Sequence, residues 1–537
     1  MAGGLQVMKT IKIIFLLLLL FASPVCATDW YVDIDNDGGT ENGTTWATAW
    51  GKLTDIVWGS ISAGDTIWIS DGEYNQRLSI GASGSDGSPI SIKPGGAHPT
   101  LSSGHTGTVY IDGTGGGSYE GLSVSSKDYV TINGQVGASS DCYIVVRDWY
   151  FSGVSIGGSS DHVTIQYLEV TGNNIVEGAC SGVFWHVTGH DAMGELAYCK
   201  VHDQNYGDEL WIVYEGSVGA YTNYDSLKIH HNDIFNFHAD AVKLATNNTS
   251  FYNNKIHDRG VYIADHPDGI QSYGSYVKIY NNEFYNFIRS PADGLGNSYI
   301  RHNPDADGGH PWSDPHHYYV YNNLFYETRT PDGSSVFRGL EISFTDTSIK
   351  TVNNIYIYNN TIAGVPYAGL GIYFLNGEIS GDVSDIYIEN NIIVDCARNM
   401  STAMQLTPGS NLTYGDHGES VDVVVDYNSI YASSGIYHTG ILYNGSLYSY
   451  ADFLALNKGQ ANGLHSGSTM IDPDLNASYQ PADSQAGVVG EGVALNGAFT
   501  TDKNSISRGT AWDIGAYEFA EGNFALAPVA PKNLRID

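Results

Sequence analysis

Short runs of alternating apolar and polar residues recur along most of this chain, separated by glycine, asparagine and aspartate. In the stretch 227–287, one unit reads HADAVKLATNNTSFYNNKIHD and a later one reads HPDGIQSYGSYVKIYNNEFYN. Each unit holds two short runs with the two-residue period of a β-strand. Such units cannot bury an apolar face alone and must stack on their neighbours. The pattern therefore predicts the coils of a β-solenoid.

Asparagine recurs at one turn position of successive units. Aligning the runs gives seven equivalent residues: Asn232, Asn254, Asn282, Asn323, Asn360, Asn391 and Asn428. Three earlier positions align more weakly: Gly134, Tyr167 and Cys199. The intervals range from 22 residues, a bare coil, to 41 residues, a coil with an inserted loop. An asparagine amide can hydrogen-bond to its equivalent about 4.8 Å along the stack, and asparagine tolerates a left-handed backbone. The repeat predicts an asparagine ladder.

The predicted architecture is an all-β solenoid of ten or more coils with a helical N-terminal cap and an irregular C-terminal cap. Thr45 can N-cap a helix whose apolar face is formed by Trp46, Ala49, Trp50, Leu53, Ile56 and Val57. A second short helix is predicted over 450–460. The predicted parts are a signal peptide (1–27), an N-terminal cap (28–60), the solenoid (61–435), C-terminal coils and cap (436–523) and a linker-like tail (524–537).

Composition agrees with a long β-protein, because glycine accounts for 64 residues and charged residues for only 15%. The chain carries 24 basic and 58 acidic residues, a net charge of −34. Such acidity suits solubility and cation binding, and argues against a nucleic-acid partner. A polyanionic substrate would need a local basic patch or bound Ca²⁺ to offset this field.

The N-terminus has the pattern of a secretory signal: Lys9 and Lys12 precede the apolar run 13–21, and a small-residue cleavage site lies near Ala27. We expect a secreted protein without a transmembrane anchor, since no second apolar span follows, and we expect a monomer. Cys142, Cys180, Cys199 and Cys396 either form disulfides, with three possible pairings, or remain buried thiols.

Two stretches resemble a known superfamily. Residues 31–53, YVDIDNDGGTENGTTWATAWGKL, with 64–80, GDTIWISDGEYNQRLSI, are similar to the opening of secreted proteins of the pectate-lyase-like superfamily. DIGAYEF (513–519) resembles the closing strand of many bacterial members. The resemblance implies a single-stranded right-handed parallel β-helix. It leaves function open, because that fold hosts lyases, hydrolases, epimerases and adhesins.

Enzymes of this superfamily bind substrate along the strand that precedes the asparagine-ended run. In this chain we identify that strand as 208–215, 240–246, 268–274, 338–344 and 369–375. Alternation points four residues into the core: Leu210, Val242, Ile270 and Leu340. It points a column outward, one coil apart: Trp211, Lys243, Gln271, Glu341 and Gly371. Trp211, Gln271, Glu341, Tyr373 and Arg289 are the predicted substrate-binding residues.

A second column begins the successive strands: Asp208, Asp240, Asp268 and then Arg338. Carboxylates about 4.8 Å apart raise one another's pKa unless a cation compensates. This column suits Ca²⁺ or a hydrolase acid–base pair, while the alternative is that each aspartate caps its own turn. A weaker calcium loop, similar to the first half of an EF-hand, holds Asp33, Asp35 and Asp37, but Thr44 stands where its last ligand would be glutamate.

The largest clear insertion, 288–317, is dense in reactive side chains: Arg289, Arg301, His302, Asp305, Asp307, His310, Asp314, His316 and His317. Long loops of this kind are usually functional. Asp314-Pro315-His316 resembles the core motif of mannuronan epimerases, although His317 stands where those have an acid. His266 occupies the same position as His238 in the preceding unit and can transfer a proton, bind a metal or cap a turn.

By resemblance to calcium-dependent β-helix lyases, the sequence predicts cleavage of an acidic polysaccharide by β-elimination. Ca²⁺ on the aspartate column would neutralise the substrate carboxylate, and Lys243 would remove the C5 proton. Arg338, Arg289 or Arg301 would stabilise the resulting negative charge. Asp268, His266 and His316 are further catalytic candidates. Two alternatives remain open: an inverting glycoside hydrolase that uses Asp240 and Asp268, and a non-catalytic glycan-binding adhesin.

Overall fold

The computed structural model describes residues 27–520 apart from 37, 101–103, 115–119, 173–180, 189–192, 205–207, 216–225, 261–267, 288–297, 303–315, 329–336, 345–350, 375–381, 399–401, 408–411, 467–468 and 496–498. Nearly all of the regular structure in these residues is β-strand. Three long sheets of 14, 12 and 13 strands, named here sheets A, B and C, run along the molecule. Each complete coil contributes one strand to each sheet, and neighbouring coils pair in parallel, so the chain is a parallel β-helix as predicted.

The strands of sheet A are Asp29–Val32, Thr66–Ile69, Ile90–Pro94, Val130–Asn133, Val163–Gln166, Gly194–Ala197, Leu227–His230, Thr249–Tyr252, Val277–Tyr280, His316–Tyr321, Thr351–Tyr358, Asp382–Glu389, Tyr414–Gly415 and Val423–Asp426. Those of sheet B are Gly72–Tyr74, Val109–Asp112, Ile144–Arg147, Leu168–Thr171, Lys200–His202, Asp233–Phe235, Lys255–His257, Glu283–Tyr285, Leu324–Tyr326, Thr361–Ala363, Ile392–Val394 and Ser429–Tyr431. Those of sheet C are Leu78–Ile80, Leu122–Ser125, Ser152–Gly158, Ser181–Thr188, Asp208–Glu215, Val242–Ala245, Ile270–Ser272, Ser298–His302, Arg338–Phe344, Leu370–Phe374, Met404–Thr407, Ile441–Tyr443 and Ser446–Tyr448.

The remaining regular elements are short. Two-residue strands His465–Ser466 and Thr469–Met470 form a small hairpin. The one α-helix of the described residues is Tyr450–Ala455. The 3₁₀ helices are Trp46–Thr48, Leu53–Asp55, Trp58–Ser60 and Gly95–Ala97.

One inward column of sheet C shows how the core is built. Leu210, Val242, Ile270, Ile300 and Leu340 pair in register from coil to coil, and all are fully buried. Alternation along each strand sends one side chain into the core and the next to the outside. The four inward residues predicted from the sequence are confirmed. Ile300 belongs to a strand of sheet C, Ser298–His302, that the prediction missed.

The asparagine ladder is confirmed over seven coils. From Asn254 to Asn428, the Oδ1 atom of each of six asparagines accepts both the backbone N–H and the side-chain Nδ2 of the ladder asparagine in the preceding coil, at 2.9–3.1 Å. Each Nδ2 also donates to a strand carbonyl, as Asn282 does to Phe251. Cys199 donates its backbone N–H to Asn232 at one end, and Gln460 accepts from Asn428 at the other. The ladder therefore satisfies buried amides across the stack.

The left-handed backbone belongs to the residue before each ladder position. Asn253, Asn281 and Asn322 have φ values of 56°, 58° and 55°, and each is followed by a ladder asparagine. The Asn-Asn pair thus divides two tasks that the sequence analysis gave to one residue. Gly134 and Tyr167 are one residue out of register, because they align with the left-handed position and not with the ladder.

The predicted N-terminal helix is wrong. The segment forms three separate 3₁₀ turns, and the Thr45 side chain caps no backbone N–H. The chain is extended at Trp50 because this residue pairs with Val32 of the first strand. Backbone pairing to an open sheet edge outweighs the local helical period. The apolar face still covers the core through Trp50 and Leu53, whereas Val57 is 54% exposed.

The C-terminal end is closed by the helix Tyr450–Ala455, within the predicted 450–460 stretch, whose Tyr450 and Phe453 are buried. Residues 470–520, named here the C-terminal strap, do not cap the end as predicted. They lie along the outside of sheets A and B, where Phe499 stacks on Tyr321 at 4.4 Å between ring centroids. The DIGAYEF segment lies in this strap and forms no strand.

Three cysteines are buried and form no disulfide within the described part of the chain: Cys142, Cys199 and Cys396. Burial raises the pKa of the Cys142 thiol to about 11. Cys180, the predicted signal peptide and the tail beyond 520 lie outside the described residues. Among the helices that the structure describes, none is long and apolar enough to cross a membrane.

The ladder predicts a specific loss of stability for Asn282→Ala. The substitution removes the acceptor of two Asn254 donors and the donor to the Phe251 carbonyl, all of them buried. Since each buried polar group left unpaired costs about 1–3 kcal/mol, we expect a loss of about 3 kcal/mol or more, measured by guanidinium unfolding. Asn253→Gly is the matched control and should stay near wild type, because glycine adopts positive φ without strain. Equal losses in the two variants would contradict the ladder.

Candidate active site

The outer face of sheet C carries one continuous column of side-chain positions. In-register pairing places Trp211 beside Lys243, Lys243 beside Gln271, and Gln271 beside Arg301. Arg301 is followed in the column by Glu341, Gly371 and Gln405. The predicted neighbours of Lys243 are confirmed at the backbone.

Arg301 is the main correction to the predicted site. The sequence analysis placed it in a long insertion, but it lies on the strand Ser298–His302, between Gln271 and Glu341. The signal that was available is the alternation of SYIRH, with Ile300 inward and Arg301 outward. The strand was not recognised because it has only five residues and lies within the long insertion 288–317.

Two arginines converge on one glutamate at this face. Glu341 Oε2 lies 3.2 Å from Arg338 Nη1 and accepts a hydrogen bond from Ser298 Oγ, also at 3.2 Å. Glu341 Oε1 lies 3.8 Å from Arg301 Nε. We call these four residues the arginine–glutamate cluster. The Arg338 guanidinium also lies over the Tyr367 ring, 4.8 Å from its centroid, which adds a cation–π contact.

Lys243 lies in the same column, two coils before Arg301, at a half-buried position. Its Nζ lies 5.8 Å from the centroid of the Tyr273 ring, within the usual range of a cation–π contact. Tyr273 is itself buried and packs with Ala245 and Phe184 on the outer face. Ser298, Tyr367 and Tyr273 are site residues that the sequence analysis did not select.

The aspartate column forms a second ladder. Asp208 Oδ1 accepts the backbone N–H of Asp240 at 3.2 Å, and Asp240 Oδ1 accepts that of Asp268 at 2.8 Å. Asp268 Oδ1 accepts the N–H of Ser298 at 2.7 Å. The next residue in the column is therefore Ser298, and Arg338 follows one coil later than predicted. This geometry agrees with the alternative in which aspartate serves the turn backbone.

Asp268 is fully buried, and its environment favours the protonated form. Burial raises the pKa of its carboxyl well above the ordinary range; the Asp240 carboxylate raises this pKa further, and Arg301 opposes the shift. Its Oδ2 atom is buried without a hydrogen-bond partner among the described residues. This carboxyl has no exposed surface for substrate.

The described residues do not fit the predicted calcium site. They include no group of three histidine, cysteine, aspartate or glutamate side chains arranged to hold a metal. One oxygen of each column aspartate is engaged by a backbone N–H, and Asp268 is fully buried. The adjacent turns, 205–207 and 261–267, lie outside the described residues. In the N-terminal loop, Asp33 accepts the N–H of Asp35, and Asp37 is also outside them.

The other predicted site residues are less completely described. His266 and Arg289 lie outside the described residues, as do the side chains of Trp211, His316 and Tyr373. The His316 backbone begins a strand of sheet A, so it does not belong to the sheet C column. The Tyr373 backbone pairs with Ser343 and Thr407 in a neighbouring outward column of sheet C.

Known structures show distant similarity to this chain. No family model matches the chain, and no curated protein resembles it significantly. Pectate lyase Pel9A is 12% identical, with 92% of this chain and 98% of that chain covered and a TM-score of 0.43. The PL6 family polysaccharide lyase Pedsa3628 from Pseudopedobacter saltans is 16% identical, with 73% of this chain and 91% of that chain covered and a TM-score of 0.42. The GH136 lacto-N-biosidase from Eubacterium ramulus is 11% identical, with 71% of this chain and 67% of that chain covered and a TM-score of 0.37.

These similarities concern architecture alone. At these identities and TM-scores they assign neither a function nor a site residue to this chain. The predicted link of the DIGAYEF segment to a closing strand gains no support from them.

Asp268 gives a prediction with a defined pH dependence. Because its folded pKa is raised, its contribution to stability is fully present below the ordinary carboxyl pKa of about 4 and is lost as pH rises through the folded pKa. Asp268→Asn keeps the acceptor for Ser298 and cannot ionise, so it should be at least as stable as wild type, with an advantage that grows with pH. Thermal unfolding between about pH 5 and 9 measures this.

Asp268→Ala is the companion variant. It removes the acceptor and should be less stable than Asp268→Asn by about 1–3 kcal/mol at every pH. An Asp268→Asn protein that melts well below wild type throughout the range would show that the ionised carboxylate is needed, as a cation ligand would require.

Proposed function

We propose that this protein is a secreted lyase that cleaves a uronate-containing polysaccharide by β-elimination along the outer face of sheet C. The supporting observation is the concentration of Lys243, Arg301 and Arg338 on one face of a chain with 58 acidic and 24 basic residues. Most of such a surface repels a polyanion, so binding requires a local basic patch. These three side chains supply it.

Arg301 and Arg338 would bind the uronate carboxylate. The planar guanidinium group presents parallel N–H donors that match two carboxylate oxygens. Both side chains are 21% exposed, so they are held by the protein yet reachable from outside. Neutralising the carboxylate makes the neighbouring C5 proton more acidic and stabilises the enolate-like charge that forms when this proton leaves.

Lys243 would act as the general base. Its amine takes the C5 proton, the C4–O bond breaks, and the leaving oxygen takes up a proton, which leaves a C4–C5 double bond in the product. The lysine is held beside Tyr273 and one coil from Gln271, on the same face as the arginines. No step is assigned to Ca²⁺, since the described aspartates do not form a site for it.

A second candidate is an inverting glycoside hydrolase, as the sequence analysis left open. The observation that favours it is the adjacent carboxyl pair Asp240 and Asp268, in which burial raises the pKa of Asp268. Paired carboxyls with separated pKa values are the arrangement that acid–base hydrolysis needs. The complete burial of Asp268 weighs against direct contact with a sugar.

The lyase proposal predicts ultraviolet absorbance from the new conjugated double bond when the protein acts on one of alginate, pectate, chondroitin, hyaluronan or ulvan. Lys243→Ala should lower kcat on that polymer by about a hundredfold or more, because general-base catalysis contributes about 10²–10⁴. Lys278→Ala is the control, since this lysine lies on a strand of sheet A, and it should retain wild-type activity.

Other outcomes separate the alternatives. New reducing ends without absorbance would identify a hydrolase, and Asp240→Asn and Asp268→Asn should then abolish them. Binding of a glycan without any cleavage would favour the third alternative, a non-catalytic adhesin. If the absorbance is lost when a chelator is added to the reaction, the activity requires a metal ion, as the sequence analysis predicted for Ca²⁺.

A further inference from the structure

We propose that Glu341 occupies the carboxylate-binding site of the free protein and that a substrate carboxylate binds by displacing it. This inference rests on the proposed function, because it concerns how the same arginines select a ligand. Glu341 is then a specificity-determining residue: it acts as an internal competitor that only a carboxylate-bearing sugar can replace.

The contacts of Glu341 are those expected of a bound carboxylate. One oxygen faces Arg338 and Ser298, and the other faces Arg301. The two arginines come from adjacent coils, and both side chains face this glutamate. Its backbone stands in the outward column of sheet C, in register with Arg301, where a glycan would lie.

The Arg301 guanidinium is incompletely satisfied by Glu341. Its Nε lies 3.8 Å from Glu341 Oε1, beyond the length of a hydrogen bond, and it has no hydrogen-bond partner among the described residues although it is buried. A buried N–H donor left unpaired costs about 1–3 kcal/mol. A ligand oxygen that reaches this donor would recover that cost, which gives the displacement a driving force.

A structural ion pair elsewhere in the chain looks different. Arg508 donates to the side chains of Glu518 and Asn322 and to the carbonyls of Asp513 and Gly515, and its side chain is completely enclosed. The arginine–glutamate cluster instead leaves both arginine side chains 21% exposed on an outer face. The first arrangement holds the strap in place, whereas the second remains open to exchange.

The exchange explains why an acidic side chain stands in a site for acidic sugars. Two arginines left without a counter-charge in a half-buried site would repel one another. Glu341 balances them until a ligand arrives, at the cost of affinity. A neutral sugar cannot supply the charge that leaves with Glu341, so the site rejects it.

The test uses Glu341→Gln, which keeps size and hydrogen bonding but removes the competing charge. Binding of galacturonate, mannuronate and guluronate trisaccharides is measured by calorimetry, with the carboxyl-reduced trisaccharide of each as the neutral probe. We expect Glu341→Gln to bind the preferred uronate about tenfold more tightly, equivalent to about 1.4 kcal/mol, with no gain for its neutral counterpart. Glu283→Gln, on a strand of sheet B, is the matched control and should bind as wild type does.

The outcomes for this inference and for the proposed function are distinct. If wild type cleaves a uronate polymer but Glu341→Gln binds the matching trisaccharide equally or more weakly, Glu341 is a structural partner of the arginines and only the inference fails. If wild type neither binds nor cleaves any uronate, both fail. Thermal unfolding checks that the variant is folded, and Glu341→Ser provides a second removal of the charge with the same expected gain.

Discussion

Every coil of this molecule must meet the next at one fixed register, and hydrogen bonds between coils impose that constraint. Two side-chain ladders accompany the backbone pairing, and their chemistry differs. An asparagine amide both donates and accepts, so Asn282 satisfies Asn254 and is itself satisfied by Asn323. An ionised aspartate only accepts, so stacked carboxylates accumulate charge. The asparagine ladder therefore extends over seven coils, whereas the aspartate ladder ends after Asp268, whose buried carboxyl favours the proton.

This constraint determines how far the sequence could be interpreted. Alternation assigned Leu210 and Val242 to the core because a strand has only two faces, and the ladder was found because it uses one residue type at one place. The strand Ser298–His302 was missed because its alternation covers only five residues within the long insertion 288–317. The N-terminal helix was predicted from its local period, but pairing of Trp50 with Val32 is a distant contact. In the candidate site, the neighbours of Lys243 followed from the register. The contact between Arg301 and Glu341 could be found only once the strand Ser298–His302 was placed between its two neighbours in sheet C.

The outer faces of sheets A and B are dominated by stacked rings, which bears on where a glycan can bind. Tyr252, Tyr280 and Tyr321 stack with centroids 4.9 and 4.8 Å apart and ring planes within 5° of parallel. Sugars bind aromatic rings through the ring face, and here each face is already covered by the next ring. Solvent meets only the ring edges. These columns stabilise the stack, and the charged outer face of sheet C remains as the surface suited to an acidic ligand.

The C-terminal strap changes how such a molecule comes apart. A repeat structure held only by nearest neighbours frays from its ends, one coil at a time. Here Lys503 donates to the carbonyl of Asn281, 222 residues earlier, and Arg508 donates to Asn322, 186 residues earlier. The last part of the chain is thereby bound to the middle of the stack, so the terminal coils cannot peel away until these distant contacts break. The strap therefore couples the unfolding of the C-terminal coils to that of the middle of the stack.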